Sequence, residues 1–172
     1  MKKIYWVFCL LLTACTTAVQ KDKPISAEQQ IAIWDSGMQY RVDTLPIDTN
    51  DAEMPDGGME TTFYSLNGKL MKVREEVGLS WGRLTSIFYC VGDTLRGFSE
   101  NQESFPFIGD SLDHGHLRHA YKGLLIFKAD TVANVSFKGE KLFADSSQNF
   151  GAQILEEFRE HLAEYKEFRS NK

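Results

Sequence analysis

The chain has 172 residues, enough for one ordinary domain and a short tether, and carries 24 acidic against 19 basic side chains for a formal net charge of −5. That acidic balance argues against a nucleic-acid binder and against electrostatic attachment to anionic lipid, because both need clustered Lys or Arg. Three cysteines are too few for a disulfide framework once their positions are considered.

At the N-terminus, Lys2 and Lys3 precede an apolar run from Ile4 to Leu12, then small residues, Cys15 and a polar segment. This order is that of a secretory signal peptide. As a helix the run would reach only about 14 Å, against a hydrocarbon core of roughly 30 Å, so it is too short to span a membrane. Its ending, Leu12-Thr13-Ala14-Cys15, resembles the lipobox of bacterial lipoproteins. The resemblance implies removal of residues 1–14, a diacylglyceryl thioether on Cys15 and an acylated new N-terminus. Acyl chains, each methylene contributing about 0.8 kcal/mol on burial, would then hold the protein on a membrane without a basic patch. Thr16 replaces the aspartate that resembles an inner-membrane retention signal in enteric bacteria, which tilts the expected address within the cell envelope toward the outer membrane. Gln20-Lys21-Asp22-Lys23 resembles the charged sequences that send some Gram-negative lipoproteins to the surface, and leaves the periplasmic or surface face open. With Cys9 discarded and Cys15 lipidated, only Cys90 remains, inside Ile87-Phe88-Tyr89-Cys90-Val91. It reads as a small core residue rather than a reactive thiol.

Residues 15–25 read as a polar tether, and residues 26–172 as a single α+β domain. Ser26 and Gln29 form a capping box for a short helix over 27–36, with Ile31 and Trp34 at helical spacing and Gly37 ending it. A strand over 39–45 and a loop over 48–58 follow. Segments 61–66 and 69–77 flank Asn67-Gly68, the dipeptide suited to the two positive φ angles of a type I′ hairpin. A regular ladder then sets Leu66 opposite Lys69 and Tyr64 opposite Met71, with Thr62 and Val73 sharing their face. A second hairpin joins 84–91 to 94–99 through Gly92-Asp93, a type II′ pair, setting Tyr89 opposite Arg96 and Ile87 opposite Phe98.

The two hairpins echo one another, Phe63-Tyr64-Ser65-Leu66-Asn67-Gly68-Lys69-Leu70 recurring as Phe88-Tyr89-Cys90-Val91-Gly92-Asp93-Thr94-Leu95, with looser versions beginning at Phe127 and Phe137. The pattern resembles the aromatic, Asn-Gly-Lys-Leu hairpin repeats of MORN-like envelope proteins without their regular glycines. Antiparallel hairpins also converge on such a grammar by themselves. From Phe150 onward, Ile154, Leu155, Phe158, Leu162 and Tyr165 recur at three and four residues among charged neighbours, the stripe of an amphipathic helix that must bury itself on the sheet. Its cap is expected at Asn149, Ser146 or Ser147. The fold class is therefore α+β: an antiparallel β-meander sheet packed by a C-terminal amphipathic helix, with a short N-terminal helix.

Several constellations invite a chemical reading. Gly78-Leu79-Ser80-Trp81-Gly82 matches the Gly-x-Ser-x-Gly elbow, which needs a helix after the serine, whereas the residues that follow read as a strand. Three of the four histidines fall in Asp113-His114-Gly115-His116-Leu117-Arg118-His119. His114 and His116 would project to one side of an extended segment. His119, with Asp113 or Asp110, would complete a donor set suited to zinc or copper. A solvated glycine-containing loop is the competing reading.

Asp-Thr or Asp-Ser followed by an aliphatic residue recurs at Thr44, Thr94, Ser111 and Thr131. It resembles the O-glycosylation sequon of certain Gram-negative envelope lipoproteins, which implies sugar on those hydroxyls, although such pairs are also ordinary turn chemistry. Phe105, Phe107 and Trp81, beside loops, are candidates for stacking on a ligand. Together these features lead to a lipid-anchored envelope protein with a non-enzymatic binding or accessory role toward a protein, peptide or glycan, with no cofactor implied. The alternative is a metal-binding protein using His114, His116 and His119, and a third possibility is an inhibitor of a toxin or envelope enzyme.

Overall fold

The computed structural model describes residues 26–36, 39–45, 57–140 and 150–171. The signal segment, Cys15, the tether, Gly37, most of the 48–58 loop and the cap expected at 146–149 lie outside the described residues.

Helix α1 (Ala27–Asp35) is opened by the expected capping box: the Ser26 amide donates to Gln29 Oε1 at 3.0 Å and the Gln29 amide donates to Ser26 Oγ at 3.2 Å. These bonds satisfy two of the amides that every helix start leaves unpaired. The strands are β1 (Arg41–Thr44), β2 (Met59–Leu66), β3 (Lys69–Leu79), β4 (Gly82–Val91), β5 (Thr94–Ser104), β6 (Phe107–Ile108), β7 (Ser111–Leu112), β8 (Arg118–Lys128) and β9 (Thr131–Gly139), followed by α2 (Phe150–Ser170). Seven strands form one antiparallel sheet in the order β1-β2-β3-β4-β5-β8-β9, and β6-β7 is a separate small hairpin inserted between β5 and β8. This is the α+β meander with its C-terminal helix and short N-terminal helix. The strands run longer than their sequence signals, since β5 continues from Ser99 to Ser104 through polar residues.

The hairpin registers differ from the regular ladder in one respect that recurs. Leu66 does face Lys69, but Tyr64 faces Lys72 and Phe63 faces Val73 because the ladder slips between Tyr64 and Ser65. Likewise Tyr89 faces Gly97 and Phe88 faces Phe98, and in the third hairpin Ile126 faces Asn134 and Leu125 faces Val135. Each time Met71, Arg96 or Ala133 is the extra residue of a β-bulge two rungs past the turn. A one-residue slip exchanges the faces of everything beyond it. Val73 therefore leaves the face of Thr62 and Tyr64, and Leu70 and Val73, three apart, both enter the core at 2% and 0% exposure. Leu95 and Phe98 repeat that spacing in β5, each 1% exposed. The turns themselves follow the sequence, with positive φ at Asn67 and Gly68, and at Gly92 but not Asp93.

The two helices cover opposite faces. On one, Ile154, Leu155, Phe158 and Tyr165 of α2 pack with Phe63, Leu70, Val73, Phe88, Cys90, Leu95, Phe98, Leu125 and Phe127. The Phe88 ring lies between Phe98, at 5.1 Å, and Phe158, at 6.4 Å. On the other, Ala27, Ile31 and Trp34 of α1 pack with Tyr89, Leu124, Ile126 and Ile87. Gly97 makes that contact possible, because a Cβ there would stand 2.4 Å from the Trp34 ring. The Tyr89 hydroxyl donates to Asp35 at 2.8 Å and Lys72 reaches the same carboxylate at 3.1 Å, fixing the end of α1. Being nine residues long, α1 covers only part of its face.

Candidate binding groove on the sheet face beside α1

Side chains alternate across a strand, so the residues flanking the α2-facing core positions point to the α1 side. On β3 these are Lys72, Arg74 and Glu76, on β4 Arg83, Thr85 and Ile87, and on β5 Ser99, Asn101 and Glu103. The register brings Glu76, Thr85, Asn101 and Lys122 into one row across four strands, with Arg83 opposite Glu103 in the next. Among the described residues, this surface forms an open groove of about 410 Å³ beyond the end of α1, lined by these residues other than Lys72, together with Ile31, Asp35 and Tyr89.

Its charges are tied to one another. Arg83 donates through Nε and Nη2 to Glu103 Oε2 at 3.0 and 2.7 Å, and its Nη1 lies 3.6 Å from Glu76 Oε1. Arg74 donates to the other oxygen of Glu76. The hydrogen bond to Glu103 is the main reason the Arg83 guanidinium is held even more firmly protonated than usual. A chain Arg74–Glu76–Arg83–Glu103 thus crosses three strands and fixes four planar groups that would otherwise be free rotors.

A second opening of about 420 Å³ adjoins the first, with Glu76 and Arg83 lining both. Its floor is made by Gly57, Gly78, Leu79, Ser80 and Gly82, and its wall by Phe105, His114 and Leu117. Gly57 and Gly78 are packed backbone to backbone, a Cβ on Gly78 standing 2.5 Å from the Gly57 carbonyl oxygen. The Phe105 amide donates to the Trp81 carbonyl at 2.9 Å, carrying the β4–β5 pairing one residue further. The His114 ring meets the Phe105 ring edge-on at 4.7 Å.

The sequence candidates are thereby separated. Phe105 and His114 line the second opening, whereas Trp81 is half-buried and its carbonyl accepts from the Phe105 amide. Phe107 stands with Ile108 on the exposed β6-β7 tip, at 72% and 69% exposure. His116 Nδ1 is 2.8 Å from Asp113 Oδ2, a bond that is the main cause of a lowered Asp113 pKa. His119 lies exposed on β8. The three histidines thus have separate surroundings, and among the described residues no three His, Cys, Asp or Glu side chains are grouped to hold a metal ion. Ser80 is followed by β4, not by the helix that a nucleophile elbow requires. Thr44, Ser111 and Thr131 are exposed and Thr94 is half-buried, each at a strand end; Thr131 Oγ1 donates to the Lys128 carbonyl at 2.7 Å.

Sequence reading missed Arg74, Glu76, Arg83, Thr85, Asn101 and Glu103 as a group. The available signal was partial: Lys72, Arg74 and Glu76 on β3, and Arg83 and Thr85 on β4, recur at period two, whereas β5 is polar at every position from Ser99 to Ser104 and carries no alternation. A different polar cluster lies under α2, where His161, 7% exposed, is 3.4 Å from Glu75 and 3.2 Å from Glu164. Burial alone would depress its imidazole, but the two carboxylates raise it above its ordinary value. No family model, curated protein or solved structure matches the chain.

Proposed function

We propose that this is a lipid-anchored envelope protein, tethered through Cys15, whose domain binds a partner on the sheet face that α1 covers only in part, without catalysing a reaction. The observation that carries the reading is the groove itself: ordered, mutually neutralised planar groups beside the ring pair of Phe105 and His114. Sites that recognise ligands combine a few oriented polar groups with apolar or aromatic walls. The lipobox-like Leu12-Thr13-Ala14-Cys15 supports the anchor, and no helix of the described residues is long and apolar enough to cross a membrane.

Two experiments test the two halves. Palmitate labelling in the native host should be lost in Cys15→Ser, and retention of label would overturn the anchor. Capture from solubilised envelopes should depend on the groove, falling in Asn101→Ala and Phe105→Ala but not in Lys166→Ala on α2. Equal capture by all three would remove the binding reading. The metal alternative calls for stoichiometric metal that is lost with His114, His116 and His119. Sugar on Thr44, Thr94, Ser111 or Thr131 would appear as a mass increment on protein from its native host.

A further inference from the structure

We infer that the groove takes an uncharged pyranose oligosaccharide, an inference that rests on the binding reading above. The first argument is charge. Arg74, Arg83 and Lys122 line the groove against Asp35, Glu76 and Glu103, three of each sign. Both arginines are engaged by carboxylates within the site. Lys72, beside the groove, is paired with Asp35 at 3.1 Å, so the lining and this neighbour together carry one excess positive charge and offer little net field to draw a polyanion or a polycation. Fixed ion pairs present instead outward edges of both donor and acceptor character, which suit a hydroxyl, a group that both donates and accepts.

Spacing and shape point the same way. Glu76, Thr85, Asn101 and Lys122 stand in one row on adjacent strands, about 4.8 Å apart from strand to strand, a separation comparable with the repeat of sugar rings in an extended glycan. The row is in the middle of the sheet, flanked on either side by the paired strands β2 and β9, so an extended peptide finds no free strand edge here to augment. At one end the glycine-floored opening sets the Phe105 and His114 rings over backbone. The C–H face of a pyranose gains dispersion contact on such rings while its equatorial hydroxyls remain free to bond.

The test uses the full chain purified in detergent, titrated by calorimetry with two probes, the tetrasaccharide of β-1,4-linked N-acetylglucosamine and that of β-1,4-linked glucose. At least one should bind saturably, and Asn101→Ala and Phe105→Ala should each weaken it about tenfold, the effect of losing one hydrogen bond or one stacked ring. Thr85→Val, isosteric and able to keep the fold, should weaken it in the same direction, and Lys166→Ala should leave it unchanged. Binding of neither tetrasaccharide, or binding indifferent to the three groove substitutions, overturns the inference. If neither sugar binds but envelope capture still falls with Asn101→Ala and Phe105→Ala, the oligosaccharide is wrong and the groove stands. If capture is also indifferent to them, both fail.

Discussion

Truncating Phe158 tests how α2 holds the sheet. Its side chain is 2% exposed, and its ring stacks 6.4 Å from Phe88 at an interplanar angle of 25°. Phe88 is in turn braced by Phe98 and His161, each at 5.1 Å. Neighbours this constrained cannot collapse into the space left by Phe158→Ala, so the substitution loses the transfer free energy of the ring and leaves a cavity, a destabilisation of about 3–5 kcal/mol. For a domain of this size that corresponds to a fall in Tm of roughly 10–15 °C. Phe137→Ala provides the matched control, since Phe137 is the same residue type at 55% exposure on β9, and should cost under about 1 kcal/mol. Urea unfolding followed by circular dichroism gives both values. A loss below about 1 kcal/mol at Phe158, or equal losses at the two positions, would refute the packing of α2 across the sheet.

Other consequences are as direct. Because the folded-state pKa of His161 is raised above its ordinary 6.5, the native chain holds that proton more tightly than the unfolded one. Its contribution is therefore complete below about pH 6.5 and lost as the pH rises through the folded value, each unit of separation being worth about 1.4 kcal/mol. The urea midpoint measured from pH 5.5 to 8.5 should fall more in the wild type than in His161→Gln, and parallel profiles would contradict the pairing with Glu75. Gly97→Ala should drive Trp34 off the sheet, because a Cβ there meets its ring at 2.4 Å; a red shift of tryptophan emission and a loss of about 1–3 kcal/mol are expected, and an unchanged spectrum would argue against the α1 contact. Burial pushes the Cys90 thiol up to about 12, so native-state alkylation should spare the Cys90 peptide until denaturant is added. Ala129 occupies φ 48° in the β8–β9 turn, and Ala129→Gly should stabilise the fold by about 1 kcal/mol by relieving left-handed strain.

Much of the scaffold is legible because its determinants are local. Asn67-Gly68 and Gly92-Asp93 specify their turns through φ, Ser26 and Gln29 specify a helix start, and Ile154, Leu155, Phe158 and Tyr165 specify a buried stripe. The bulges were legible too, though from a different feature. Leu70 with Val73, and Leu95 with Phe98, are core-type residues three apart after each turn, and a period-two strand can bury both only if one residue is extra. A regular ladder ignores that spacing and so assigns Val73 to the wrong face. The candidate groove was harder, because whether Arg83 and Asn101 face solvent depends on how far α1 reaches, and that is a property of the assembled sheet. Proximity in sequence also misled: His114, His116 and His119 are neighbours along the chain, yet a ring contact with Phe105, a bond to Asp113 and an exposed strand position give them separate surroundings.

Photocrosslinking in intact cells tests the central claim most directly, since it examines the groove where the protein resides. A diazirine-bearing amino acid replacing Thr85 or Asn101 in the groove, or Glu156 or Lys166 on the exposed side of α2, reports which face meets a partner. A discrete adduct is expected from Thr85 and Asn101 and none from Glu156 and Lys166. Adducts from the α2 positions with none from the groove would contradict it.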